Sequence, residues 1–386
     1  MNGSSTTMLG RSGSCHKLHF SSRPQIHLYI RNWRTMNIRR KSNTAGAIRI
    51  TNILLVLVLF TLALAGCQEK TYPVKDTRPG KTGSETAADT AATEDAKAAA
   101  DLYYSFSDAT GNVVELPAKP GKVVSLMGSY AEVWVLAGGE LVGVTSDVMT
   151  ERDLGLPADT QIIGTVKEPN LEEIIALSPD FVILSPDVAG HVKAAESLAQ
   201  MDIVHAFFKV EYFEDYLNML KICTDITGHE ELYEKNGLEV KKQIDDILAQ
   251  VPDTAEDKKP EVLFIRAFSS GAKAKSDDNM TCKILEDLGT VNIAAKHESL
   301  LDELSMEIII QEDPDYIFVV PMADTEKSLQ ALADGIQSNP AWSTLTAVQN
   351  GRYHVLPKEL FHYKPNARWN ESYEYIAKIL FPEIFK

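Results

Sequence analysis

Hydrophobic positions downstream of residue 102 follow two alternating periods. Short apolar runs, typical of buried strands, are separated by segments whose apolar residues recur every third or fourth position, as in amphipathic helices. The predicted strands are Val123–Leu126, Leu141–Thr145, Phe181–Leu184, Val204–Phe208, Val262–Arg266, Tyr316–Pro321 and Tyr353–Leu356. The predicted helices are Tyr130–Ala137, Leu171–Leu177, Ala194–Ala199, Phe213–Ile226, Asn279–Leu288, Met306–Glu312, Lys327–Ala333 and Trp369–Leu380. This alternation predicts an α/β fold with mostly parallel sheets covered by helices.

Two other segments frame the alternation. Tyr103–Leu116 contains two alternating runs around Thr110-Gly111-Asn112, a pattern typical of a β-hairpin. Glu230–Val251 is amphipathic throughout and predicts one helix of about six turns. The alternation stops at this helix and restarts after Lys258-Lys259-Pro260. We therefore expect an N-terminal lobe at residues 102–228, a connecting helix at 229–252 and a C-terminal lobe at 259–386.

The first 66 residues differ in composition, with nine Lys or Arg residues and no acidic residue. An uncharged stretch runs from Ile50 to Gln68 and contains Leu64-Ala65-Gly66-Cys67. A basic flank, a short apolar core and small residues are the order found in secretory signals. The last four residues resemble a bacterial lipobox, in which signal peptidase cuts before the cysteine and the thiol carries diacylglycerol. We therefore expect a leader and signal peptide at residues 1–66 and a lipid on Cys67.

A plain transmembrane helix is the other interpretation of the apolar stretch, but it needs about 20 apolar residues and this run is shorter. Both interpretations place residues 68–386 on the outer face of the cytoplasmic membrane, extracellular or periplasmic. Met36, which precedes Arg39-Arg40-Lys41, is the more typical start of such a leader. Residues 67–101 hold the lipidated cysteine and a polar, Ala/Thr/Asp-rich segment, which we expect to be a disordered linker because it cannot bury a core.

The charge of the chain bears on its partners, and its cysteine content bears on disulfide formation. After Cys67 the chain keeps 29 of its 38 basic residues against 54 acidic ones, which gives this part a net charge of −25. So acidic a body repels phosphate backbones, and nucleic acid is therefore not expected as a partner. Cys223 and Cys282 are the cysteines of the folded part. We interpret them as buried free thiols, with a disulfide between distant segments as the open alternative.

One unit of sequence occurs twice. Asn170-Leu171-Glu172-Glu173-Ile174-Ile175 precedes Pro179-Asp180 and an apolar run, and Ser305-Met306-Glu307-Ile308-Ile309-Ile310 precedes Pro314-Asp315 and another. Asn170 and Ser305 suit helix N-caps, and a carboxylate at the second helical position suits the helix dipole. Taken singly, Glu172 and Glu307 indicate only helix starts. As a pair they predict two exposed carboxylates at equivalent points of two lobes, suited to a partner with two equivalent basic sites.

Several segments together resemble one family. They are Phe106-Ser107-Asp108-Ala109-Thr110-Gly111, Lys122-Val123-Val124-Ser125-Leu126 with Val142-Gly143-Val144, Ile163-Gly164 with Asn170-Leu171-Glu172, Asn339-Pro340-Ala341-Trp342, and Ala347-Val348-Gln349-Asn350-Gly351-Arg352-Tyr353. In this combination residues 103–386 resemble the substrate-binding lipoproteins of ABC importers for ferric siderophores, haem or cobalamin, the class III periplasmic binding proteins.

The resemblance implies two Rossmann-like lobes joined by a single long helix, with a ligand cleft between them. It also implies one glutamate per lobe that pairs with arginines of a permease dimer, which by motif are Glu172 and Glu307. The partners would be that permease with its ATPase, the metal chelate and the membrane. The protein would act as a monomer, without a cofactor of its own.

Ligand-facing groups in such folds lie on loops at the carboxyl ends of strands. The candidates are Met127, Tyr130, Lys167, Arg266, Met322, His362 and Lys364. Residues 127–130 also open a helix whose N–H groups could receive an anion. A cleft rich in basic and aromatic residues suits an anionic, partly flat ligand, such as a ferric catecholate or haem with its propionates. The alternative is that these basic residues form a solvated loop face.

Four of these side chains belong to types that bind haem iron: Met127, Tyr130, Met322 and His362. For each one packing is the simpler explanation, and no ligand pair is assigned. The six histidines of the folded part lack metal-ligand spacing, which disfavours a site for a bare metal ion.

Catalytic motifs do not occur in the sequence, and no enzymatic activity is expected. The first hypothesis is a lipid-anchored receptor that captures an iron chelate, a ferric siderophore or haem, and delivers it to an ABC permease. A cobalamin-binding protein of the same family, a secreted α/β enzyme and a ligand-sensing receptor are the alternatives.

Overall fold

The computed structural model describes residues 102–255 and 258–386. The leader, Cys67 and the linker at 68–101 lie outside the described residues, so their predictions stay predictions. Within the described ranges, no helix is both long and apolar enough to cross a bilayer.

The described chain begins with the predicted hairpin, formed by β1 (Tyr104–Ser107) and β2 (Val113–Leu116). Asp108 shapes its turn, because Oδ1 accepts the N–H groups of Thr110 at 2.9 Å and Asn112 at 3.0 Å. The other oxygen of this carboxylate accepts the N–H of Phe207 at 3.2 Å. One buried aspartate therefore both closes the hairpin and ties it to the first sheet.

The first sheet is parallel and has the strand order β5-β4-β3-β6-β7. Its strands are β3 (Val123–Ser125), β4 (Gly143–Val144), β5 (Gln161–Ile162), β6 (Phe181–Leu184) and β7 (His205–Phe207). Its helices are α1 (Gly128–Leu136), α2 (Val148–Glu151), α3 (Leu171–Ala176), α4 (Ala189–Gln200) and α5 (Phe213–Thr227). Strand β6 is buried at all four positions, as a central parallel strand covered on both faces must be.

The connecting helix is continuous from Glu230 to Leu248, as its amphipathic pattern predicts, but it contains a π-helical turn that the pattern does not predict. It consists of α6 (Glu230–Tyr233), a π-helical turn (Glu234–Leu238) and α7 (Glu239–Leu248). Gly237 lies in the wide turn, where a Cβ atom would come within 3.1 Å of Leu217 on α5. The carbonyl of Asn236 accepts the Tyr216 hydroxyl at 2.7 Å. Close packing on α5 therefore accompanies the turn, and such bulges occur where the regular hydrogen-bond ladder is interrupted.

The second sheet has the order β10-β8-β11-β12, with β9 antiparallel to β8. Its strands are β8 (Glu261–Phe268), β9 (Gly271–Ala274), β10 (Val291–Asn292), β11 (Tyr316–Pro321) and β12 (Tyr353–Val355). Its α-helices are α8 (Met280–Asp287), α9 (Ile293–Lys296), α10 (Ser299–Asp302), α11 (Met306–Glu312), α12 (Thr325–Asp334), α13 (Thr346–Gln349), α14 (Lys358–Phe361) and α15 (Trp369–Leu380). Short 3₁₀ turns cover Ile336–Ser338, Pro340–Thr344 and Asn366–Arg368.

The two sheets share one design, which explains the repeated unit in the sequence. Strands β10-β8-β11-β12 occupy the same order as β4-β3-β6-β7. Before β6, the carboxylate of Asp180 accepts the N–H groups of Gly121 at 2.8 Å and Lys122 at 2.9 Å. Before β11, Asp315 accepts the N–H of Glu261 at 2.9 Å. In both lobes the repeated aspartate therefore fixes the start of the neighbouring central strand.

The predicted class, α/β with mostly parallel sheets on either side of a connecting helix, is confirmed. A hydrophobic core runs from the first sheet across α5 and α7 to α8 and α15. Phe213 and Trp369 meet there edge to face, with ring centroids 6.0 Å apart. Cys223 and Cys282 are buried and unpaired, as the sequence predicts. Helices α5, α7, α8 and α15 therefore join the two sheets through one hydrophobic core.

Candidate functional site

Loops at the carboxyl ends of the two sheets face each other. The Tyr212 hydroxyl, after β7, donates to the carbonyl of Asp277 of the second lobe at 2.7 Å. Arg152 of the first lobe donates through Nη2 to the carbonyl of Lys364 at 3.1 Å. In parallel α/β sheets this is the edge at which ligands bind. The cleft between these loops is therefore the candidate site.

The second lobe lines this cleft with four basic side chains, Arg266, Lys358, His362 and Lys364, here called the cationic wall. Arg266 lies in the last three residues of β8 and is half-buried, with its Nε 3.3 Å from the sulfur of Met322. Its guanidinium carbon is 5.8 Å from the centre of the Phe268 ring. Lys358 begins α14, bonds to the carbonyl of Ala323, and lies 5.3 Å from the centre of the Tyr363 ring.

The electrostatics of His362 show how closely these groups are gathered. Burial, followed by the positive charges of Arg266, Lys358 and Lys364, lowers the pKa of His362 to about 4. The imidazole is therefore neutral at physiological pH, and it adds a polar surface rather than a fourth charge. Burial also lowers the pKa of Arg266 and of Lys364. Keeping like charges half-buried together is unfavourable unless an anion compensates them.

The facing lobe supplies acidic groups. Lys209 lies 3.7 Å from Asp187 and 3.4 Å from Glu211, on the loops after β6 and β7. Burial lowers the pKa of Lys364, whereas the negative charges of Glu211 and Asp187 raise it. This lysine therefore faces the two carboxylates across the cleft. Burial raises the pKa of Glu151, and Arg152 and Lys358 oppose that rise. These acidic groups therefore partly neutralise the charge of the cationic wall.

Acid should weaken the fold through His362. The unfolded histidine takes up a proton near pH 6.5 and the folded one only near pH 4, so the unfolded state binds more protons in that window. The free energy of unfolding therefore falls as pH drops from about 6.5 to 4. We expect His362→Gln to remove about 1–2 kcal/mol of this loss, less than the full shift implies because the ring is partly exposed. Urea unfolding at pH 7 and pH 4.5 measures it, and an identical pH dependence in both proteins would contradict this assignment.

Three of the seven predicted ligand-facing residues converge in the cleft: Arg266, His362 and Lys364. Met127 is the half-buried N-cap of α1. Lys167 is exposed on the loop before α3. Its carbonyl would lie 2.2 Å from a Cβ atom at position 190, which is why glycine stands there.

Two proposed iron ligands are instead part of the packing, and the structure corrects them. Tyr130 is 1% exposed, and burial raises its pKa. Met322 is 7% exposed and its sulfur contacts Arg266. Both side chains therefore support the loops rather than offer a free ligand. Of the four residues named for haem iron, only Met127 and His362 keep appreciable exposure.

The N-terminus of α1 is not open to an anion, contrary to the expectation from residues 127–130. The N–H of Gly128 donates to Oδ2 of Asp147 at 2.7 Å, and Oδ1 of this carboxylate accepts the Thr145 hydroxyl at 2.6 Å. An internal carboxylate thus already occupies the position that suits negative charge. Sequence reasoning missed Asp147 because it lies one strand further along the chain.

Several residues in the cleft or beneath it were not predicted from the sequence: Lys358, Glu151, Arg152, Asp187, Lys209 and Glu211. Lys209 and Glu211 directly follow β7, so the rule that ligand groups follow strands applies to them as well. Lys358 follows the last strand after Pro357 in the same way. Arg152 and Glu151 end a four-residue helix that has no amphipathic pattern of its own, and nothing in the sequence singles them out.

The repeated glutamates lie at equivalent places. Glu172 and Glu307 are each the second residue of a helix, α3 and α11, and both are exposed. Asn170 caps α3 by accepting the N–H of Glu172 at 3.1 Å, and Ser305 caps α11 by accepting that of Ile308 at 3.5 Å. Each helix returns to the start of a parallel strand, so its N-terminus lies at the carboxyl edge of its sheet. Both glutamates are therefore on the cleft side of their lobes.

Two further observations concern metal sites and a second groove. Among residues 102–255 and 258–386, no cluster of three or more His, Cys, Asp or Glu side chains could hold a metal ion. A surface groove of about 680 Å³ is lined by residues such as Lys122, Val142, Gln161 and Leu177, at the amino ends of the first sheet's strands. That groove lies at the opposite edge of the sheet from the cleft loops.

Known proteins resemble this chain in sequence and in fold. It is 27% identical over 240 residues to the Fe(3+)-citrate-binding protein YfmC of Bacillus subtilis, covering 61% of this chain and 72% of that one. It is 24% identical over 268 residues to a cobalamin-binding protein of Halobacterium salinarum, covering 68% and 71%. Staphylococcus aureus SirA, solved in complex with staphyloferrin B, matches with a TM-score of 0.54 at 20% identity, over 72% of this chain and 98% of that one.

The chain also matches a family model. The region from β3 to α14, residues 123–360, matches the family model described as periplasmic binding protein. The match holds both sheets and the helix between them. This chain belongs to the periplasmic binding protein family.

Proposed function

We propose that this protein is an extracytoplasmic solute-binding lipoprotein that captures an anionic iron chelate in the interlobe cleft and delivers it to an ABC transporter permease. The observation that carries the proposal is the cationic wall. Three positively charged side chains and a neutral imidazole are held half-buried at the edge where the fold binds ligands. The printed name of the Bacillus subtilis relative, an iron(III)-citrate binder, supports the same class of cargo.

The wall favours oxygen-rich chelates. Carboxylate, catecholate or hydroxycarboxylate oxygens accept charge-assisted hydrogen bonds from guanidinium and ammonium groups, which are the strong class of hydrogen bond. A ferric siderophore of this kind, or ferric citrate, presents negative charge on several sides of the iron. Haem presents only its propionates, and two of its four proposed iron ligands are buried in this protein. We therefore place ferric siderophores ahead of haem.

Delivery would use the two exposed glutamates. Glu172 and Glu307 occupy the same position on two similar lobes, at the edge where the cleft opens. A permease dimer offers two equivalent surfaces, so one arginine-bearing patch on each subunit could pair with one glutamate. Such charge pairs act mainly on encounter and orientation. The lipid on Cys67 and the linker would keep the acidic receptor close to the membrane.

A titration series tests the cargo. The protein from residue 68 onward is titrated with ferric citrate, a ferric tris-catecholate, haem and cobalamin, and the quenching of tryptophan fluorescence is recorded together with the absorption spectrum. We expect saturable quenching by at least one anionic ferric chelate and weaker binding of cobalamin. Tight binding of cobalamin alone would instead identify cobalamin as the cargo. A Soret band at stoichiometric haem with no response to the ferric chelates would reverse our ranking.

A further inference from the structure

Three polar side chains join the lobes beneath the cleft. Asn366, from the second lobe, is fully buried and donates through Nδ2 to the carbonyl of Ser129 at 2.9 Å and to Oε2 of Glu132 at 2.7 Å. Arg152, from the first lobe, pairs with the same Glu132 oxygen and donates through Nη2 to the carbonyl of Lys364. We call Glu132, Arg152 and Asn366 the interlobe joint.

The backbone conformation at position 366 restricts which residue types fit there. Asn366 has φ of +52°, in the left-handed region, at the start of the 3₁₀ turn before α15. Asparagine tolerates this conformation better than most residues, and unlike glycine it also brings an amide donor. The chain thus turns inward at this point and sends a hydrogen-bonding group into the other lobe.

Stability alone does not explain the joint. The side chains of Arg152 and Glu132 are only 7% and 21% exposed. Within the described part of the chain, Nε of Arg152 and Oδ1 of Asn366 are buried without a hydrogen-bond partner. Replacing a buried ion pair by apolar groups is often neutral or stabilising, so this incompletely paired one points to a role in fixing geometry.

That geometry concerns the loop that carries part of the cationic wall. Arg152 holds the carbonyl of Lys364, and Asn366 is two residues further along the same loop. We propose that the interlobe joint positions residues 362–364 from the opposite lobe, so that the angle between the lobes and the shape of the cationic wall change together. Glu132 and Arg152 are then positioning residues for ligand binding, although neither belongs to the cationic wall. The ligand readout of this proposal rests on the proposed function, whereas the loop readout does not.

Hydrogen–deuterium exchange of the ligand-free protein tests the joint directly. The double variant Glu132→Gln with Arg152→Met removes both charges, so no unpaired charge stays buried. We expect exchange in the peptide covering residues 358–366 to rise about tenfold or more, as loss of a charge-assisted hydrogen bond implies. Peptides from β6 and β11 should keep their wild-type rates. The dissociation constant for ferric citrate or a ferric tris-catecholate should rise about tenfold.

Two further variants separate positioning from stability. Arg152→Lys keeps the charge beside Glu132 but lacks the second nitrogen that reaches Lys364. We expect it to raise loop exchange while the free energy of unfolding stays near wild type. Glu374→Gln is the matched control for Glu132→Gln, because it removes the carboxylate charge from an exposed ion pair, with Lys378 on α15. It should change neither readout.

The outcomes are distinct. Exchange of the loop at the wild-type rate in the double variant would refute the proposal that the interlobe joint positions the loop. An equal rise in exchange over both lobes would also refute it, since that would indicate a purely structural role. Failure of the wild-type protein to bind any ferric chelate would instead reject the proposed function. The exchange result would still decide whether the joint positions the loop.

Discussion

Replacing Arg266 by methionine should weaken the binding of an anionic ferric chelate by about 10- to 100-fold, because a hydrogen bond to a charged group contributes about 1.5–3 kcal/mol. Methionine keeps most of the apolar contact with Phe268 and Met322, so the variant should fold normally. Isothermal titration with ferric citrate or a ferric tris-catecholate at two salt concentrations measures the effect. The variant should also show a weaker dependence of affinity on salt, since one attractive charge has been removed.

The same lobe offers a matched control. Arg352 is also half-buried and also lies over an aromatic ring, 4.9 Å from the centre of Tyr316. It precedes β12 and is therefore at the amino edge of the sheet, away from the cleft. Arg352→Met should leave chelate affinity at the wild-type value. Equal losses in the two variants would mean that net charge, rather than the cationic wall, attracts the ligand.

Reversing both docking charges should abolish most transport while sparing ligand binding. In Glu172→Lys with Glu307→Lys, lysines would face the basic patches of the permease. Placing like charges together across an interface costs several kcal/mol, so we expect uptake of the iron chelate to fall by roughly tenfold or more. Each single variant should retain part of the activity, because the other lobe still docks. Uptake of radioactive iron by cells is the measurement, with chelate affinity of the purified variant determined beside it.

Two other glutamates provide controls at the same helical position. Glu214 and Glu326 are exposed second residues of α5 and α12, as Glu172 and Glu307 are of their helices. Reversing both therefore makes the same change in net charge and in helix-dipole interaction, outside the repeated unit. That control should transport normally. Normal uptake in the Glu172 and Glu307 double variant would refute the docking proposal.

Much of the fold follows from local sequence. β6, β11, α11 and α15 have the bounds predicted from their hydrophobic pattern. β6 and β11 are buried at every position and α15 has twelve residues with an amphipathic pattern, so hydrophobicity determines them strongly. The missed strands β5 and β10 have two residues each, and β9 is an antiparallel edge strand with a lysine. Segments so short carry no period, and their pairing depends on neighbours distant in sequence.

The site was harder to predict, for a reason visible in Tyr130 and Asp147. The expectation that ligand groups gather at the carboxyl ends of strands selected Arg266, His362 and Lys364, which lie close together in the structure. It could not distinguish a side chain pointing into the cleft from one packed beneath it, and so it failed for Tyr130 and Met322. Asp147 closes the helix start at residue 128 from 19 positions away, a contact that no local pattern contains.

The central claim is that the cleft holds an anionic iron chelate, and the position of the iron tests it most directly. A crystal of the protein grown with its tightest ferric chelate, measured at the iron absorption edge, locates the metal by anomalous scattering. We predict one peak between the two lobes, with chelate oxygens contacting Arg266 and a lysine of the cationic wall. A peak in the groove at the amino ends of the first sheet, or elsewhere outside the cleft, would contradict the account.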